Sequence, residues 1–171
     1  MIVKQISCTS RIIALTLVSM MVAQLAHSAV LQQNGPPHSA IVGSWIETIT
    51  PGVPGFAPFK SVGVYNQDGT SVFSDQGGVR SSPFPQVYSS AAGSWTYLRD
   101  RTFAATYITL VSDFDGNLIG TFKIRQEAIL DQSGNRYTAR VHLDAFDPDG
   151  NLFMSADGTI EARRIVVEAL P

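Results

Sequence analysis

Three times this chain writes nearly the same short turn: Gln67-Asp68-Gly69, Asp113-Phe114-Asp115-Gly116-Asn117-Leu118 and Asp147-Pro148-Asp149-Gly150-Asn151-Leu152. Each lies between stretches in which apolar and polar residues alternate. Asp-Gly and Gly-Asn supply the positive-φ positions that tight hairpins need, so a strand entering such a turn returns antiparallel beside itself. From Ile41 onward the two-residue period is nearly unbroken, and it predicts strands at about 42–50, 59–66, 70–76, 86–97, 101–111, 118–130, 136–146 and 152–166. No segment carries the period of an amphipathic helix. Strands joined in this way form a meander barrel or a sandwich. The short connections favour the meander, and closing it removes the edges that a single sheet would otherwise expose. The expected fold is therefore all-β, a single up-and-down antiparallel β-barrel of about eight strands.

The first 28 residues read as an address. Lys4 and Arg11 precede an uncharged apolar run from Ile12 to Ala26, and Ala26-His27-Ser28 offers small residues where signal peptidase cleaves. The run is shorter than the roughly 20 residues of a membrane span, so no transmembrane anchor is expected after cleavage. Export to the periplasm or outside the cell is the implied destination. The one cysteine, Cys8, leaves with this leader. Residues 29–40, rich in Gln, Asn, Gly and Pro, read as a flexible lead-in, and residues 41–171 as the barrel, long enough to build a core without disulfides. Of the 12 Lys and Arg, Lys4 and Arg11 lie in the leader, whereas all 14 Asp and Glu follow it. The formal charge of −2 thus becomes −4, and no basic stripe remains for nucleic acid.

In a meander, alternate connections gather at opposite ends. One end receives tight turns: 66–69, 98–101 and 131–135. The other receives two longer Pro-containing loops, Pro51 to Pro58 and Asp75 to Pro85, and both Phe-Asp or Pro-Asp-Gly-Asn turns. That ornate rim gathers Phe56, Phe84, Phe114 and Phe146, which serve either as plugs beneath their own loops or as a gated mouth. Long loops carry function more often than tight ones.

At the plain end, Gly43-Ser44-Trp45 opens the first strand and Arg163-Arg164 closes the last. This pair of motifs resembles the lipocalin (calycin) superfamily. The resemblance covers both ends of the domain; the family's Thr-Asp-Tyr-type turn and C-terminal helix have no counterpart in the sequence. It implies that Trp45 packs at the barrel base under an arginine of the final strand, Arg164 or Arg163, in a cation–π contact worth ~0.5–2 kcal/mol. A second Gly93-Ser94-Trp95 makes Trp95 a second base tile, a trace of internal repetition or an ordinary core residue.

If Trp45 faces inward, so do Glu47 and Ile49. A lumenal carboxylate is expensive unless partnered or neutralised. Glu47 is then an ion pair with Arg164 at the base, a residue reaching solvent, or the polar handle of a cavity. The same parity turns Tyr137, Ala139, Val141, Leu143 and Ala145 inward, together with Phe122, Ile124, Gln126, Ala128 and Leu130. For the fifth predicted strand it leaves Phe103-Ala105-Tyr107-Thr109 and Ala104-Thr106-Ile108-Leu110 both open. An eight-stranded barrel either fills with side chains or holds one small ligand, and the alanines of these sets favour space.

Catalytic material is sparse. After the leader, the histidines are His38 and His142, too few for a metal cluster or a Ser-His-Asp triad. The Asp-Gly-Asn turns lack the later glutamate of a calcium loop. No metal or cofactor is expected. The leading reading is a monomeric, lipocalin-like binder of a small hydrophobic molecule, with Tyr107, Gln126, Tyr137 and Ala139 lining the cavity and Phe56 and Phe84 at its mouth. One alternative is a barrel isomerase or cyclase of the allene-oxide-cyclase type, with Glu47 and Tyr107 doing acid–base work. Another is a filled barrel that acts through its surface.

Overall fold

The computed structural model describes residues 38–76 and 86–170. The expected leader, most of the expected lead-in, and Phe84 lie outside them. Nine strands follow in order: β1 (Gly43–Pro51), β2 (Phe59–Tyr65), β3 (Thr70–Asp75), β4 (Val87–Tyr88), β5 (Ala91–Arg99), β6 (Thr102–Ser112), β7 (Leu118–Leu130), β8 (Arg136–Phe146) and β9 (Leu152–Arg164). All pairings are antiparallel. β4 apart, each strand pairs with its neighbours in sequence, and β9 returns to pair with β1, Trp45 standing opposite Arg164. The result is a closed, up-and-down barrel of eight strands with no helix among the described residues.

The strand expected at 86–97 is two pieces. Tyr88 pairs with Val111 of β6, whereas Ala92 pairs with Ile108, so one extra residue sits on the β4–β5 side between the two contacts. That is the signature of a β-bulge, which bends a strand and frees the segment beyond it. Ser89 bridges the interruption, its backbone N–H donating to the Leu110 carbonyl and its hydroxyl accepting from the Leu110 N–H, both at 3.0 Å. Because β3 meets β5 only as far as Phe73 opposite Ala91, the wall parts above that level at the ornate end.

The matching turns are chemically matched too. Asp113 Oδ1 accepts the backbone N–H of Asp115 and of Asn117, and Asp147 Oδ1 accepts those of Asp149 and Asn151, at 2.8–3.0 Å. The second carboxylate oxygen of each accepts the Asn117 or Asn151 side-chain amide. Those hydrogen bonds hold both carboxyls below the usual aspartate range. Their oxygens are thus engaged by their own turns, which accounts for the calcium-loop likeness through turn chemistry.

Closure decides which face is the core. β6 turns Phe103, Ala105, Tyr107 and Thr109 inward, all buried, and leaves Thr106, Ile108 and Leu110 exposed. Inside, large side chains stand directly across the ladder from small ones. Trp45 faces Gly63, Trp95 faces Ala105, Tyr107 faces Gly93, Phe103 faces Ala128 and Tyr137 faces Ala162. Residues facing each other across a rung lie close together, and a Cβ on Gly93 would come within 2.5 Å of Tyr107 Cβ; near the plain end Tyr97 and Phe103 share a rung by meeting edge-on at 5.5 Å.

At the plain end the barrel is shut. The Trp45 indole N–H donates to the Ile41 carbonyl at 2.9 Å, and the Arg164 guanidinium lies over the indole with its carbon 4.3 Å from the ring centre. Arg164 also donates to the carbonyls of Gly134, Val42 and Ala40, at 2.8, 2.7 and 2.6 Å. It thereby ties the last strand to the entry of the first and to a turn between them. Gly43 makes room: its φ is +130°, and a Cβ there would come within 2.7 Å of Arg164 Nη1. Trp95 is a second tile, its indole donating to the Asn66 carbonyl at 2.9 Å. Arg163 is exposed, opposite Ile46 on the outer face, because strand alternation sends it away from its neighbour Arg164.

Trp45→Ala should cost ~3–5 kcal/mol in urea unfolding. Arg164→Ala should share part of that loss, so a double-mutant cycle between the two should show coupling. The same cycle run with Arg163→Ala should be additive. Strict additivity for Arg164 would mean that the guanidinium–indole contact does not hold the base.

Candidate functional site

The lumen is in two halves. Its lower half is packed with rings: Trp45 meets Tyr137 edge-on at 4.9 Å, Tyr137 meets Tyr65 at 6.3 Å, Tyr65 meets Phe73 at 5.5 Å, and Phe73 stacks on Tyr107 at 4.3 Å. The alanines of the inward sets do not open space here. Ala105, Ala128, Ala139 and Ala162 are buried in the same layers as these rings, and the expectation that small residues mark a void fails because the rings use the room they leave.

Polar groups thread this lower half. Glu47 is fully buried, and one of its oxygens is hydrogen-bonded to the Tyr137 hydroxyl. The Tyr137 and Tyr65 hydroxyls are hydrogen-bonded in turn. Gln126 donates from Nε2 to the Tyr65 oxygen at 2.5 Å and accepts from the Tyr107 hydroxyl at 3.3 Å. Burial pushes the Glu47 carboxyl up to about 7, against the opposing pull of the Tyr137 hydrogen bond. Its other oxygen, Oε2, is buried with no hydrogen-bond partner among the described residues, which penalises the charged form further. The partner of Glu47 is thus a tyrosine. Arg164 is occupied by three carbonyls and the Trp45 face. Gly63 admits the carboxyl, since a Cβ there would come within 2.6 Å of Glu47 Oε1.

Above Phe73 and Tyr107 the barrel is open. A cavity of about 140 Å³ lies toward the ornate end, with walls that include Ile49, Phe59, Ile124, Val141, Leu143 and Ala156. Ser61, Asp75, Gln86, Tyr88 and Thr109 supply its polar groups, with Asp157 at the edge. Asp75 closes β3 and shares the inward parity of Ser71 and Phe73. Burial raises its pKa, opposed by a hydrogen bond from Ser61. Gln86 and Tyr88, on the segment released by the bulge, are hydrogen-bonded to each other, and the Tyr88 ring lies 5.8 Å from Phe122.

The residues expected to bind ligand therefore divide. Tyr107 forms part of the cavity floor and Phe56 part of its rim. Gln126, Tyr137, Ala139 and Glu47 lie beneath that floor, in the packed layers, and Phe84 is outside the described residues. Asp75, Gln86 and Tyr88 fall within the strands expected at 70–76 and 86–97, but their inward facing was not among the expectations from sequence. The alternation Ser71, Phe73, Asp75 was the signal that could have placed the first of them inside.

The surface carries a separate polar cluster. His142 is on the outer face, as its strand position predicts, with Nδ1 2.7 Å from Asp157 and Nε2 3.1 Å from Asp144. Asp157 in particular raises the imidazole pKa, and Asp144 adds to the shift.

These shifts give the stability a sign with pH. A carboxyl whose folded pKa is raised favours folding while it is protonated. The Glu47 contribution is complete below about 4.5 and is lost as pH climbs to about 7, on the order of 3 kcal/mol in all. His142 acts in the same direction, its contribution falling away above about 6.5. Urea unfolding between pH 5 and 7.5 should show declining stability, reduced in Glu47→Gln and reduced separately in His142→Ala. A Glu47→Gln variant with the full parental slope would mean that the buried carboxyl is already ionised at pH 5.

No protein-family model matches this chain, and no characterised protein matches it in sequence. Among solved structures it is similar to a redesigned β-barrel, with 16% identity, a TM-score of 0.41, and coverage of 74% of this chain and 94% of that one.

Proposed function

We propose that this protein is an exported, lipocalin-like barrel that binds a small, largely apolar molecule in its open half and releases it unchanged. The observation that carries this reading is the cavity: about 140 Å³, walled mainly by aliphatic and aromatic side chains, over a sealed floor of Phe73 and Tyr107. An apolar cavity of roughly 150 Å³ is enough to take up a benzene-sized molecule, and a largely apolar pocket with a few polar groups is the common form of a small-molecule site. Gly43, Trp45 and Arg164, joined at the base, support the lipocalin likeness. The Lys4–Ser28 leader supports export.

Binding is favoured over turnover by the position of Glu47. A general acid or base must come within hydrogen-bond reach of the substrate, and Glu47 lies under the floor, with its neighbours Ile49 and Ser61 on the cavity wall in its stead. The carboxyl and its tyrosines then act as a satisfied polar layer that fixes the packing below the pocket.

An apolar fluorescent probe should bind with micromolar affinity and brighten on binding. Its own emission is the appropriate readout, because Trp45 and Trp95 both stand at the plain end. Ala156→Phe, which places a ring in the cavity, should weaken binding at least tenfold. Thr159→Phe, on the outer face of the same strand, should leave it unchanged. Equal probe binding by parent and a folded Ala156→Phe would move the site out of the barrel.

A further inference from the structure

Among the described residues, the cavity is lined by an acid and by no base. Neither lysine, arginine nor histidine among them lines it, whereas the Asp75 carboxyl stands inside; Asp157, at the edge, turns its carboxylate outward to His142. Asp75 is turned inward by the alternation of β3, directly across the ladder from Ser61. Gln86 and Tyr88 bring an amide and a phenol to the same cavity from β4. The ion pairs formed among the described residues are on the outer face, between Arg125 and Asp144, Arg140 and Glu127, and His142 and its two aspartates. None of them neutralises Asp75.

The charges of the two barrel ends point the same way. The two Asp-Gly-Asn turns at the mouth carry Asp113, Asp115, Asp147 and Asp149, four acids against the one arginine, Arg80, in the sequence of the 75–85 loop. At the base, Arg99, Arg101, Arg136, Arg163 and Arg164 outnumber Asp68, Asp100 and Asp131. A molecule approaching the opening meets a negative field, which a low-dielectric cavity concentrates. A buried carboxylate without a counter-charge is unfavourable until one arrives.

We infer that the ligand is a small apolar cation, an amine on a single ring or short hydrocarbon body, whose ammonium is received by Asp75 with Gln86 and Tyr88 while its apolar part rests on Phe73 and Tyr107. The inference rests on the pocket-binding reading and narrows it. An ammonium offers three hydrogen-bond donors, and the carboxylate of Asp75, the amide oxygen of Gln86 and the hydroxyl oxygen of Tyr88 are acceptors. A carboxylate of the same shape would meet the Asp75 carboxylate and, among the described residues, no cation. The cavity volume limits the buried body to about one aromatic ring.

The test is an NMR titration at pH 7 with three probes of matched shape: 2-phenylethylamine, 2-phenylethanol and 3-phenylpropanoate. The amine should bind at least tenfold more tightly than the propanoate and more tightly than the alcohol. Asp75→Asn should weaken the amine about tenfold while leaving the alcohol within twofold, which also shows that the variant folds and keeps its cavity. Raising salt should weaken the amine and not the alcohol. If the alcohol binds but the amine has no advantage, or keeps its advantage in Asp75→Asn, the charge assignment is overturned and the apolar pocket stands. If none of the three binds to the parent, the pocket reading falls and takes this inference with it.

Discussion

The lumen of an eight-stranded barrel has a cross-section set by closure, and every side chain inside must share it. Here that constraint is met mainly by complementarity across the ladder, Trp45, Trp95, Tyr107, Phe103 and Tyr137 each having a glycine or an alanine opposite, while Tyr97 and Phe103 share a rung edge-on. Where the rule is followed, below Phe73 and Tyr107, the interior is solid. Toward the mouth the walls turn to Ile49, Val141, Leu143, Ala156 and Gly158, and side chains of that size do not reach the axis from both sides. The pocket is thus what remains where such side chains form much of the wall, with the rings of Phe59, Tyr88 and Phe122 completing it.

The filled half also determines what the buried polar groups can do. Glu47 sits over Gly63 among Trp45, Tyr65 and Tyr137, and its proton is held by desolvation in surroundings that provide one hydrogen bond for two oxygens. Linked through Tyr137 and Tyr65 to Gln126 and Tyr107, it connects β1, β2, β6, β7 and β8 by side chains as well as by the ladder. Such a network specifies one arrangement of rings when its members are paired, and it becomes a liability when its carboxyl ionises. Asp75 is a carboxyl in a different situation. It is only partly buried and reaches the open half of the lumen, so an arriving molecule can supply the charge that the protein withholds.

The bulge between β4 and β5 links these two halves to the mouth. By adding one residue opposite β6 it lets Gln86 and Tyr88 continue upward along β6 after β3 has parted from β5. The opening and the polar groups around it arise together. At the other end, Arg164 bonds to three carbonyls from two segments, the entry of β1 and the β7–β8 turn, and covers an indole, so one side chain serves both the seam of the sheet and the floor.

Much of this was legible from the residues alone. Asp-Gly-Asn turns and a two-residue period are local chemistry, written in neighbouring positions, and they determine where strands begin, where they reverse and, for β7 and β8, which side chains face inward. Gly43, Trp45 and the Arg163-Arg164 pair pointed to the base through their resemblance to the lipocalin pattern, and the register then selected Arg164. The facing of β6 was not legible, since Phe103-Ala105-Tyr107 and Ala104-Thr106-Ile108 both read as credible inner faces until Ala105 had to stand opposite Trp95. The same holds for the tyrosine partner of Glu47, for the inward turn of Asp75, and for alanines that mark packed rings in place of empty space. These depend on which residues meet across the barrel. That is decided by the stagger of eight strands on closure, a non-local quantity to which no stretch of sequence answers by itself.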